Sequence, residues 1–153
     1  AFTYGHTLGV QDRIIDVLVE RIEETNTPIT NDAKIILVGR GSNYPQTKMD
    51  LEAIRGKLQT KLGFDAIEVS YLAVLEPSLD TMIDQSLKEN RSQLFIVPYL
   101  WFTGVLIQSI QQKIEALGST DKEIVLCQHL GDHPWMKQAL KERVYECYAI
   151  RQY

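Results

Sequence analysis

Cysteine is nearly missing from this chain: Cys127 and Cys147 stand alone among 153 residues. Two scattered thiols do not build a disulfide framework, so a reducing, cytoplasmic setting is the expectation. Long apolar runs are missing as well. None reaches the roughly 20 residues of a spanning helix, and residues 1–10 have neither the basic start nor the apolar stretch of a signal peptide. A basic excess is absent, with 16 Lys and Arg against 20 Asp and Glu for a net charge of −4. That balance argues against nucleic acid or an anionic membrane as partner. Nor is there an initiator Met. The chain opens on Ala1-Phe2-Thr3-Tyr4, which reads as the end of a strand and makes a processed or excised fragment the expectation.

What remains is ordinary for a folded domain, with 44% apolar and 24% charged residues. The length fits one domain with a proper core. One feature is not ordinary. Leu8-Gly9 and the helical pattern after it, to Ile22, align without a gap on Leu130-Gly131 and the segment to Val144. Leu8/Leu130, Gly9/Gly131, Leu18/Leu140, Glu20/Glu142 and Arg21/Arg143 are identical, and Ile14/Met136, Val17/Ala139 and Ile22/Val144 are apolar in both. A repeat at this spacing reads as the tail of one α/β unit followed by a complete second unit.

Four short, β-branched runs have the character of strands covered on both faces: 34–38, 66–71, 94–97 and 123–127. Helical patterns lie between them. Residues 49–62 form one; Leu79, Met82, Ile83 and Leu87 stripe the next; Ile107, Ile110, Ile114 and Leu117 a third; Met136, Ala139, Leu140 and Val144 a fourth. Strict alternation of this kind predicts a three-layer α/β sandwich on a four-stranded parallel sheet with right-handed crossovers. The breaker-rich stretch 26–32 is the linker candidate. The expected division is therefore 1–25, a strand end and helix left from a preceding repeat; 26–32, a linker; and 33–153, the second repeat.

In a parallel sheet the chemistry sits beyond the carboxyl ends of the strands. Four loops occupy that rim. Gly39-Arg40-Gly41-Ser42 lacks the third glycine of a dinucleotide fingerprint and the Gly-Lys-Ser/Thr of a phosphate loop. It reads either as a tight turn or as a seat for an anion, with Arg40 able to fork onto a carboxylate or phosphate. Glu76-Pro77-Ser78 reads as a helix entry or as a functional carboxylate. Tyr99 through Gly104 is dense in aromatics, suited to stacking on a flat ligand or to closing the core. Cys127, His129 and His133 are metal-capable by type, yet Cys127 sits in an apolar strand where buried filler is the simpler reading. No Ser-His-Asp or Cys-His nucleophile spacing occurs.

Taken in order, the strings Ile36-Leu37-Val38-Gly39-Arg40-Gly41-Ser42, Leu75-Glu76-Pro77-Ser78-Leu79, Val97 through Gly104 and Leu130-Gly131-Asp132-His133-Pro134 resemble the class II chelatases, the sirohydrochlorin cobaltochelatase and ferrochelatase family. That resemblance implies a chelatase-like sheet of flavodoxin-like topology and a parent lyase that inserts a divalent metal into a tetrapyrrole, in cobalamin or sirohaem synthesis. Cobalt is the first expectation for the metal, with nickel and iron as alternatives. Long members resemble tandem duplications, and this chain resembles the second half of one, so its partners would be a tetrapyrrole and an N-terminal half or a second copy of itself. The family's metal insertion depends on two histidines, one in a Gly-His-Gly-Ser loop and one after the aromatic strand. Here those positions carry Arg40 and Leu106. An arginine does not deprotonate to ligate metal and a leucine has no lone pair. The resemblance therefore implies a half with no catalytic or metal-binding residues of its own, in which Arg40, Ser42, Glu76, Tyr99, Thr103 and His133 hold substrate. By itself such a half is expected to be inactive; a non-catalytic binding or dimerisation domain is the alternative.

Overall fold

A computed structural model describes residues 12–100, 105–118 and 120–131. The elements alternate as α1 (Asp12–Glu23), β1 (Lys34–Gly39), α2 (Pro45–Leu62), β2 (Ile67–Tyr71), α3 (Leu79–Lys88), β3 (Gln93–Pro98), α4 (Val105–Ala116) and β4 (Glu123–Leu126). The strands form one all-parallel sheet in the order β2-β1-β3-β4. Leu37 pairs with Val69 on one side and Val97 on the other, which puts β1 at the centre. The α/β sandwich on a four-stranded parallel sheet is thus present as expected. The fourth helical stripe, at 136–144, lies outside the described residues, as do residues 1–11.

Because side chains alternate across a strand, β1 feeds two separate cores. Ile35 and Leu37 join Leu51, Ile54 and Leu58 of α2, together with Phe95 and Val97. Ile36 and Val38 face the other way, onto Leu79, Met82 and Ile83 of α3 and Ile110 of α4. Helix α1 completes the first layer. Its apolar stripe of Ile14, Leu18 and Ile22 is buried in the same cluster as β1, Cys127 and Leu130. Its outer edge is tied to α2 by ion pairs Asp12–Lys57 at 2.9 Å and Asp16–Lys61 at 3.2 Å.

The stretch 26–32 is pinned rather than loose. The Gln93 side chain donates to the Pro28 carbonyl at 3.0 Å and accepts from the Thr30 backbone N–H at 3.1 Å. Asp32 accepts from the Thr30 hydroxyl at 2.7 Å and from the hydroxyl and backbone N–H of Ser92, and these bonds, that of Thr30 first, hold its carboxyl below the usual carboxylate range. At the foot of the sheet Lys34 is buried between Glu89 at 2.8 Å and Glu68 at 3.0 Å. Hydrogen bonding to Lys34 lowers the Glu89 pKa against the opposing pull of burial.

One boundary differs from the sequence reading for an identifiable reason. Helix α2 begins at Pro45 rather than Met49, because its first turn, Pro45-Gln46-Thr47-Lys48, is polar and shows no apolar period. Proline there suits the first helical turn, where its missing N–H costs nothing. Met49 itself points outward, 62% exposed. Deep in α2, Gly56 has open space around the position of a β-carbon. Gly56→Ala is expected to raise stability by about 0.5–1 kcal/mol, since glycine in a helix interior forfeits that much to backbone entropy. A higher midpoint in a urea titration, at unchanged slope, is the measurement.

Candidate functional site

The loops that follow β1 and β2 are fastened to each other beyond the end of the sheet. The backbone N–H of Leu72 donates to the Gly39 carbonyl at 3.0 Å, and that of Ala73 to the Arg40 carbonyl at 3.1 Å. Such close approach is possible only because two side chains are missing. A β-carbon on Gly39 would come within 2.8 Å of Leu51 and 3.3 Å of the Tyr71 ring. On Gly41 it would lie 1.8 Å from the Ala73 carbonyl oxygen, and Gly41 has φ +89°. Gly41 is therefore set by packing between the loops, and Gly39 by the Leu51 and Tyr71 side chains.

Arg40 leaves this clasp with its side chain exposed and in no ion pair among the described residues. Ser42 is spent locally: its hydroxyl bonds Thr47 and accepts from the Tyr44 N–H, bracing the entry to α2. Glu76 is exposed on the neighbouring loop, one carboxylate oxygen accepting from the Ser78 N–H at 3.1 Å. Ser78 then caps α3 by accepting from the Thr81 N–H at 3.2 Å. Tyr99 goes elsewhere. Its ring packs half-buried against the α1/α2 core, and burial, with Asp50 nearby, raises its phenol pKa. Arg40, Ser42 and Glu76 thus gather on the β1–β2 side of the rim while Tyr99 turns inward. Thr103 and His133 lie outside the described residues.

Around the β1 loop and the start of α2 runs an open groove of about 640 Å³. Its walls include Tyr44, Met49 and Val74, exposed at 76%, 62% and 64%. Lys48 and Glu52 put charge at its sides. Val74 has φ +70°. A β-branched residue there is strained by the order of 1–3 kcal/mol, the kind of cost that clusters at ligand-contacting loops. Sequence reasoning missed these apolar residues.

At the end of β2 Tyr71 is fully buried, its hydroxyl without a hydrogen-bond partner among the described residues, and burial, with Glu52 adding to it, raises its pKa. Cys127 is buried as well; burial, then the charge of Glu24, pushes its thiol up to about 12. It is therefore a neutral thiol at physiological pH, which neither attacks nor ligates readily. His129 is 6% exposed and already engaged. Among the described residues no three His, Cys, Asp or Glu side chains are grouped to hold a metal ion. Leu106 sits in the first turn of α4, half-buried against the α3/α4 core. No helix among the described residues is long and apolar enough to cross a membrane.

What the described rim offers is an exposed guanidinium at Arg40 and, from Ser42 onward, a broad apolar groove on a parallel α/β sheet. The family model CbiX matches residues 34–147. The chain belongs to the CbiX family. Among curated relatives of this CbiX chain, a sirohydrochlorin ferrochelatase of Priestia megaterium is 38% identical over 141 residues, 92% of the chain and 53% of that protein. A sirohydrochlorin cobaltochelatase of the same organism is 31% identical over 151 residues, 95% of the chain and 49% of that protein. The CbiX fold is matched by the solved structure of SirB from Bacillus subtilis with Fe3+. There the TM-score is 0.82 at 28% identity, covering 98% of this chain and 59% of that one. The chain thus spans about half the length of the curated relatives it matches.

Proposed function

We propose that this CbiX chain is the second unit of a two-unit sirohydrochlorin chelatase, and that its task is to hold the tetrapyrrole while the preceding unit handles the metal. The observation that carries this reading is Arg40: at the head of β1 its guanidinium is exposed and in no ion pair among the described residues, two residues before the Ser42 that opens the lining of the apolar groove. Sirohydrochlorin is a flat macrocycle fringed with carboxylates. A guanidinium forks onto a carboxylate, and an apolar groove accepts the ring edge. The likeness of the chain to both ferrochelatases and cobaltochelatases supports a divalent metal as co-substrate. Cobalt is proposed first, with iron and nickel to be compared directly.

Insertion requires the pyrrole nitrogens to shed protons to a base as the metal enters, while cations hold the carboxylates and fix the ring. Arg40 serves the second requirement and not the first, because guanidinium stays protonated at any working pH. In this reading Glu76 lines the rim as a carboxylate that keeps anionic substrate from sliding across the β2 loop.

The test is anaerobic titration of sirohydrochlorin into the chain, followed by its visible absorbance. Arg40→Ala is expected to weaken binding about tenfold, the worth of one exposed charge-assisted contact, and Arg40→Lys to recover only part of it. Equal affinities for Arg40→Ala and the unaltered chain would count against the reading.

A further inference from the structure

The carboxylates along the first turns of α2 are already committed. Glu52 accepts from Arg55 Nε at 2.9 Å, and Asp50 accepts from the Gln46 amide at 2.7 Å. Glu52 stands four residues after Lys48, the spacing of a helical ion pair, yet its partner is Arg55. Lys48 is exposed and in no ion pair among the described residues. It lines the groove together with exposed Tyr44, Met49 and Val74. Lys48 and Met49 are consecutive, their Cα atoms about 3.8 Å apart, so a cation and an apolar patch meet at one place. Val74 stands there at φ +70°, a conformation unfavourable for a β-branched residue. A second groove, of about 610 Å³ between α1 and α2, is built differently. Its Lys57 and Lys61 are paired with Asp12 and Asp16 at 2.9 and 3.2 Å. That groove answers its own charge; the one at the start of α2 does not.

Sirohydrochlorin has a chemistry that matches this pairing. On two of its ring carbons a methyl group and an acetate arm share one tetrahedral atom. The ring edge thus presents an anion and an apolar knob side by side. A planar porphyrin with the same acid arms offers the anion without the knob. We infer that the groove at the start of α2 selects the methylated edge of the macrocycle: Tyr44, Met49 and Val74 enclose a ring methyl, and Lys48 takes the acetate on the same carbon. Resting on the tetrapyrrole-holding role proposed above, this division leaves Arg40 and Lys48 to hold acids common to all such rings. Tyr44, Met49 and Val74 are then the residues that discriminate. An apolar wall rejects an unmethylated ring only by the contact that ring fails to make, so the discrimination is modest in size and specific in origin.

Anaerobic absorbance titrations of the 153-residue chain with sirohydrochlorin and with uroporphyrin, which has the same acetate and propionate arms and no ring methyl, supply the test. The unaltered chain is expected to bind sirohydrochlorin about fourfold more tightly, the worth of one buried methyl. Met49→Gln and Val74→Gly are each expected to cut that preference to about twofold or less. Lys48→Gln is expected to weaken both ligands about fivefold and to keep the preference. Lys88→Gln, at the last turn of α3, is expected to change neither. Glycine is at ease at φ +70°, so Val74→Gly is expected to melt no lower than the unaltered chain. Met49→Gln, at an exposed position of α2, keeps the comparison should Val74→Gly not fold. Equal affinity for the two rings would overturn the methyl seat. So would a preference that survives both Met49→Gln and Val74→Gly, or a Lys48→Gln protein that binds like Lys88→Gln. In those cases weaker binding of both rings by Arg40→Ala leaves the holding role standing. A preference that depends on Met49 and Val74, with affinity untouched in Arg40→Ala, removes the Arg40 contact and keeps the methyl seat. Binding of neither ring removes both.

Discussion

Gly41→Ala is expected to destabilise the protein by about 3–5 kcal/mol, a loss reserved for substitutions that force backbone against backbone. The added methyl would stand 1.8 Å from the Ala73 carbonyl oxygen, and the φ of +89° disfavours any side chain even in open space. No rotamer relieves this, because a β-carbon has none. Relief comes only by parting the β1 and β2 loops, which breaks the bonds from Leu72 and Ala73 to the Gly39 and Arg40 carbonyls. The damage should register twice. Thermal unfolding would show a midpoint lowered by about 10 °C, and sirohydrochlorin binding would fall further than in Arg40→Ala, since Arg40 and the groove wall move together. A Gly41→Ala protein melting within a degree or two of the original would mean that the loops part at little cost.

Metal insertion by the 153-residue chain is expected to run at the non-enzymatic background, at least about a hundredfold below a protein that includes the preceding unit, given what a positioned base contributes. The two positions that carry histidine in the resemblance hold Arg40 and Leu106. One cannot accept a proton, and the other is packed into the α3/α4 core. Burial, then the charge of Glu24, pushes the Cys127 thiol up to about 12, so it does not replace them. Loss of the metal-free sirohydrochlorin spectrum after adding Co2+ measures the rate. Turnover by the chain equal to that of the two-unit protein would sink the division of labour.

Much of the scaffold was legible in the sequence, and the limits follow from range. Ile35-Ile36-Leu37-Val38 and Leu94-Phe95-Ile96-Val97 announce themselves as central strands, because burial on both faces leaves no polar residue in the run. Alternation with helices then dictates a parallel sheet. The first turn of α2 was not legible, since a polar turn has no period to detect. The pinning of 26–32 escaped notice because its partner, Gln93, is more than 60 residues away in sequence. At the rim, residue type indicated which side chains carry chemistry and not which way they point. Arg40 faces out and Tyr99 faces in, although both follow central strands. The exposure of Tyr44, Met49 and Val74 was invisible for a related reason: an apolar residue looks the same in sequence whether or not something covers it.

Among the described residues, position 40 is held through its carbonyl, which receives the Ala73 N–H, while its side chain is exposed. After a gene duplication such a position is free to drift: the clasp holds whatever residue is there, and selection sees only the exposed end. One copy of the motif can keep an imidazole and the other acquire a guanidinium with no change to the frame beneath. In the two-unit reading proposed above, two sites of identical chemistry would part ways by single substitutions, leaving a working side and a holding side.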